Sequence, residues 1–160
     1  MIALESKSLK HSLDTSIEET FADMAFMDVT RLEGAKVGFQ HNQIMHISFL
    51  EPIRGDIALV LPSECKRSLV ENIYGDDWRA LHDDRIDDCL LEILNVVAGR
   101  FLTDYCGSNQ THIMSLPSML FDEKEIANLD GHSEFLFDAE GMPFKVNINV
   151  ETSIDSPAKR

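Results

Sequence analysis

At 160 residues and 18.1 kDa the chain can bury one sizeable core and is too short for two ordinary domains with a linker, so it reads as a single domain over 1–160. Hydrophobic residues at 44% and charged residues at 26% belong to a folded protein rather than a disordered or fibrous one. Fourteen Lys and Arg against twenty-eight Asp and Glu leave a formal charge of −14, which repels phosphate backbones and anionic lipid and argues against both nucleic-acid and membrane binding.

The opening MIALESKSLK has no apolar stretch of signal-peptide length, and no apolar run of about eighteen residues follows it. With an odd number of cysteines, Cys65, Cys89 and Cys106, the chain is expected in a reducing cytoplasm. Residues 1–11 read as a loose terminus. Thr15 and Glu18 then form a capping-box pattern, and Ile17, Phe21, Met24 and Ala25 recur at helical spacing, predicting a first helix that reaches about Leu32. Two strand-like runs, Ile44 to Leu50 and Ile57 to Leu61, flank a turn containing Pro52 and Gly55 and predict a hairpin. Ser63 can cap a short helix that carries Leu69, Val70 and Ile73 and that Gly75 stops. From about Asp83 to Cys106 the pattern is one long helix, opened by aspartates that suit the positive end of its dipole and closed by Gly107.

Three more strands are predicted: Ile113 to Phe121, broken by Pro117, then Ser133 to Asp138, then Phe144 to Val150 after a turn at Glu140-Gly141. The last alternates Phe144, Val146, Ile148 and Val150 with Lys145, Asn147 and Asn149, so one sheet face is expected to be solvated or to lie in an interface. Residues 152–160 are polar and aperiodic and read as a second loose end. Hairpins outnumber crossovers in this order, which favours an α+β fold with an antiparallel sheet packed against helices.

On the long helix, Asp88, Glu92, Asn95 and Gly99 fall within an arc of about 60°, a polar line on an otherwise apolar segment. Taken by itself, such a line fits an ordinary solvated helix face. Its residue types, however, resemble the pattern of the CheX/CheC/FliY chemotaxis phosphatases: Asp or Ser, three residues, Glu, two residues, Asn, and a later proline. Asp88, Glu92, Asn95 and Pro117 match it. The resemblance implies a CheC-like fold and a phosphatase that accelerates hydrolysis of the aspartyl-phosphate on a CheY-like receiver domain. It gives Asn95 the water-orienting role and Glu92 a docking role against the receiver's lysine. It also implies no cofactor in this chain, the magnesium ion belonging to the receiver, and a homodimer of the single-motif CheX type with sheets joined near the strand that ends at Val150. A receiver-binding module of the same fold without catalysis, as in flagellar-switch relatives, is the other reading.

The amide fits its implied task on chemical grounds, since it offers a donor and an acceptor and brings no negative charge to a phosphoryl site. Asp88 serves the helix start and Pro117 a strand edge, both structural roles. The aspartates from Asp76 to Asp88 lack the order of a calcium loop, and the histidines His11, His41, His46, His82, His112 and His132 show no metal-ligand spacing. Neither a phosphate-binding glycine loop nor a GxSxG elbow occurs, and Cys89 points about 100° away from Asp88, so this chain is not expected to supply a nucleophile.

Overall fold

The computed structural model describes residues 2–33, 42–121, 124, 129 and 132–151. The tail expected to be loose at 152–160 lies outside the described residues. Helix α1 spans Ile2–Ala25 and runs straight through the Thr15/Glu18 pattern, so the capping box is not its start. No glycine or proline interrupts the segment, and buried Ser12 and Leu13 extend the Ser16, Ile17, Thr20 and Phe21 face one turn upstream. The helix stops at Ala25, well short of Leu32, where Phe26 adopts a φ of 55°. Val29–Leu32 then forms strand β1, which sequence reading folded into the helix because four residues are too few to display a period.

Strands β2 (Asn42–Glu51) and β3 (Gly55–Pro62) make the expected hairpin, each longer than its apolar run. Helix α2 is Ser63–Tyr74 with Pro62 at the N-cap position, so Ser63 is its first helical residue and not its cap. At its other end the Gly75 N–H donates to the Glu71 carbonyl. A short 3₁₀ helix, Gly75–Ala80, leads to α3, Asp83–Cys106, which has the predicted bounds and ends where the Gly107 N–H donates to the Thr103 carbonyl at 3.0 Å. The stretch around Pro117 yields two short strands, β4 (Ile113–Met114) and β5 (Ser118–Met119), both paired with β2. Strands β6 (Ser133–Ala139) and β7 (Met142–Val150) close around Glu140 and Gly141, whose φ values of 53° and 94° form the tight turn favoured by right-twisted hairpins.

All pairings are antiparallel, in the order β1-β6-β7-β3-β2-β4, with β5 also on β2. This is the α+β arrangement expected. Strand β7 is hydrogen-bonded on both sides, to β3 and to β6, and therefore has no free edge with which to join a second copy. The helices cover the sheet face built from Met45, Ile47, Phe49, Ile57, Leu59, Phe137, Phe144 and Val146. Phe144 stacks on Phe21 of α1 at 4.9 Å between ring centroids and on Phe137 at 5.5 Å, joining helix and sheet layers. The second sheet face is less open than its alternation suggests. Leu120 and Leu129 pack over Ala58 and Ile44, and Asn147 is only 3% exposed.

Candidate functional site on helix α3

Ile86, Leu90, Ile93, Leu94, Val97, Ala98, Phe101 and Leu102 form the buried face of α3. Burying a Leu, Ile or Phe side chain is worth about 1.5–3 kcal/mol, so this set strongly resists any rotation of the helix about its axis. Its rotation leaves Asp88 and Glu92 exposed and Asn95 and Gly99 half-buried, on the opposite side. Among the described residues, no hydrogen bond or ion pair engages the Glu92 carboxylate or the Asn95 amide. Both predicted site residues therefore stand together on one outward line, one turn apart, held by a rigid element with their polar atoms uncommitted.

The start of the helix is electronegative. Burial pushes the Asp87 carboxyl above the usual carboxylate range; Lys66 opposes this, while Asp83, Asp84 and Asp88 add to it. Asp88 is exposed in the second turn, past Asp83 and Asp84, whose charges complement the helix dipole in the first. Pro117 lies between the edge strands β4 and β5, where its missing N–H interrupts no interior ladder. Burial raises the Cys89 thiol, partly offset by a hydrogen bond with Tyr74, and pushes Cys65 up to about 12, so neither offers a ready thiolate.

Chemically, the stripe holds one amide and two carboxylates and no cation. It can place a water molecule and dock a basic group, but it cannot neutralise charge developing on a phosphoryl group. Among the described residues no His, Cys, Asp and Glu side chains group in metal-holding geometry. Sequence spacing missed one constellation. The Asp56 carboxylate sits 2.7 Å from His46 Nε2 and 2.9 Å from His132 Nε2 on the second sheet face, joining β2, β3 and the start of β6. Residues so far apart in sequence meet only through strand pairing, which leaves no local signal.

The sequence profile of the family described as Chemotaxis phosphatase CheX matches residues 44–140, more than half of the chain and the whole of α3. A comparison with curated proteins finds no match. Among solved structures, CheX of Vibrio vulnificus superposes with a TM-score of 0.69 at 15% identity, over 89% of this chain and 96% of that one. The CheX of Borrelia burgdorferi, crystallised with CheY, BeF3 and magnesium, gives 0.61 at 15% identity, over 89% and 97%. The FliM middle domain of Vibrio alginolyticus gives 0.58 at 12% identity, over 98% of both chains. At these identities the superpositions establish a shared fold.

Proposed function

The chain belongs to the chemotaxis phosphatase CheX family, and from that premise we propose that it accelerates hydrolysis of the aspartyl-phosphate on a CheY-like receiver by laying Glu92 and Asn95 of α3 into the receiver's phosphorylation site. The observation that carries this assignment is the outward amide of Asn95, which bonds to none of the described residues, on a helix whose rotation is fixed by its buried face. In hydrolysis a water oxygen attacks phosphorus, the bond from phosphorus to the aspartyl oxygen breaks, and the products are inorganic phosphate and the free carboxylate. Little covalent chemistry is required of a helper protein, and holding the water in line lowers the barrier by positioning alone. Asn95 accepts from and donates to that water without repelling the phosphoryl oxygens. Glu92, one turn earlier, pairs with the receiver's lysine and sets the approach of α3. The magnesium ion that offsets phosphoryl charge comes with the receiver, as a stripe lacking cations requires.

Two copies of the chain associate in this proposal, but through the β4/β5 edge rather than β7. Leu116 and Phe121 are 89% and 77% exposed there, with Leu50 and Ile113 also exposed nearby, whereas the opposite edge strand β1 carries no exposed large apolar side chain. The free thiols of Cys65, Cys89 and Cys106 accord with a cytoplasmic setting, and no described helix is long and apolar enough to cross a membrane.

Likeness to the FliM middle domain keeps a second reading in play, in which the chain binds a receiver without catalysis. Decay of a radiolabelled receiver phosphate separates the two readings. A catalyst shortens its lifetime at substoichiometric concentration, whereas a sequestering partner acts in proportion to its amount. Asn95→Ala is expected to abolish the acceleration and leave the fold intact, because a half-exposed amide with no partner contributes little to stability. Undiminished acceleration by this variant refutes the assignment.

A further inference from the structure

We propose that the groove between α1 and α3, just beyond Asn95, is a second contact point that receives a basic side chain of the docked receiver; this rests on the receiver reading above. The groove has a volume of about 780 Å³ and is lined by Thr15 and Glu19 of α1 and by Gly99, Arg100 and Thr103 of α3, among others. Gly99 lies one turn, about 6 Å, past Asn95 on the same outward line, so a protein seated on Asn95 lies over the mouth of the groove.

Space, charge and hydrogen bonding select the occupant. A Cβ added at Gly99 would meet no atom within 4 Å, so the space above this position is open. Glycine is a poor residue for a helix interior, and here its small size keeps the groove clear. Within the groove the Arg100 guanidinium is paired with Asp23 at 2.9 Å, and the two charges cancel. The carboxylates of Glu19 and Asp104 remain. Asp104 accepts a hydrogen bond from the Ser12 hydroxyl, and Glu19 is exposed and engages no described residue. A net anionic groove excludes the phosphoryl group itself and an acidic loop, and it suits a lysine or arginine.

The test is titration calorimetry with a CheY-type receiver from the same organism, loaded with magnesium and beryllofluoride as a stand-in for the acyl phosphate. Gly99→Leu places a side chain in the groove and is expected to weaken binding about tenfold while the melting temperature holds or rises, because leucine is the better helix former. Glu19→Lys is expected to weaken binding by about tenfold and to flatten its dependence on salt. Glu19 is exposed, so this variant decides the matter should Gly99→Leu perturb the fold. Binding by Glu19→Lys that equals the wild type, with an unchanged salt slope, overturns the proposal. Failure of the phosphatase reading shows separately, as Asn95→Ala that still accelerates phosphate decay while the binding results stand.

Discussion

Glu92 and Asn95 share one helix face, and in the proposed docking they answer opposite electrical demands. Phosphoryl oxygens tolerate a neutral amide beside them, whereas a carboxylate near them is stable only if a cation meets it. Glu92→Gln keeps the shape and removes the charge, so the loss expected is that of a charge-assisted hydrogen bond, about 1.5–3 kcal/mol in receiver binding. That corresponds to a Kd raised between about tenfold and a hundredfold, read by titration, with no change in thermal stability for an exposed residue. Asp56 lies off this face and gives a stability prediction instead. Burial pushes its carboxyl up, but hydrogen bonds from His46 and His132 and their charges outweigh burial and hold it below its usual range. A carboxyl depressed in the folded state contributes stability that is present above its unfolded value and lost as pH falls through the folded one. Asp56→Asn is therefore expected to be less stable than the wild type by about 1–2 kcal/mol at neutral pH, the gap closing once the wild-type Asp56 is protonated in its folded as well as its unfolded state. Denaturant titrations at several pH values check this, and a gap that persists in strong acid contradicts it.

The elements differ in how much of them was legible. Helix α3 emerged with its final bounds because three independent signals agree over its length: acidic residues at the start, a 3.6-residue apolar period, and a glycine after the last turn. The line from Asp88 to Gly99 was legible for the same reason, since a helix converts spacing directly into direction. Helix α1 failed at both ends. A capping-box pattern states only that a helix can start there, and packing of Leu13 and Ser12 against the core carried the helix through it. Strand β1 owes its existence to its partner, pairing Val29 with Ala139 and Leu32 with Leu136, and four residues hold no period of their own. The Asp56 constellation and the groove between α1 and α3 depend on which elements become neighbours, which no local pattern encodes. Where the local signal was right, it is also testable. Gly107 ends α3 at a φ of 100° and a ψ of 152°, a region closed to residues with a Cβ, although a Cβ there would touch nothing within 4 Å. Gly107→Ala is therefore expected to cost about 1–3 kcal/mol through backbone strain alone, lowering the thermal midpoint while receiver binding is retained.

For the whole molecule, the arrangement separates the two proposed interaction surfaces. The site lies on the outer side of the helix layer, and the apolar edge of β4 and β5 lies at the border of the sheet. A charge of −14 opposes any association of two copies, so a dimer must draw its stability from apolar contact, and among the described residues the β4/β5 border groups the exposed apolar side chains Leu50, Ile113, Leu116 and Phe121, against Phe26 alone before β1. Strands β4 and β5, two residues each, form this border of the described sheet, and a second copy lying along it covers Leu116 and Phe121. Leu116→Asp combined with Phe121→Asp adds four negative charges across the two-fold axis of such a dimer and removes its apolar contact. Light scattering at micromolar concentration is expected to give twice 18.1 kDa for the wild type and the single-chain mass for the double variant. Because Glu92, Asn95 and the groove all come from one chain, the separated subunit is expected to keep its rate of receiver dephosphorylation per chain. Loss of that rate on dissociation would place part of the docking surface on the second copy, and with it the requirement that the receiver meet a dimer.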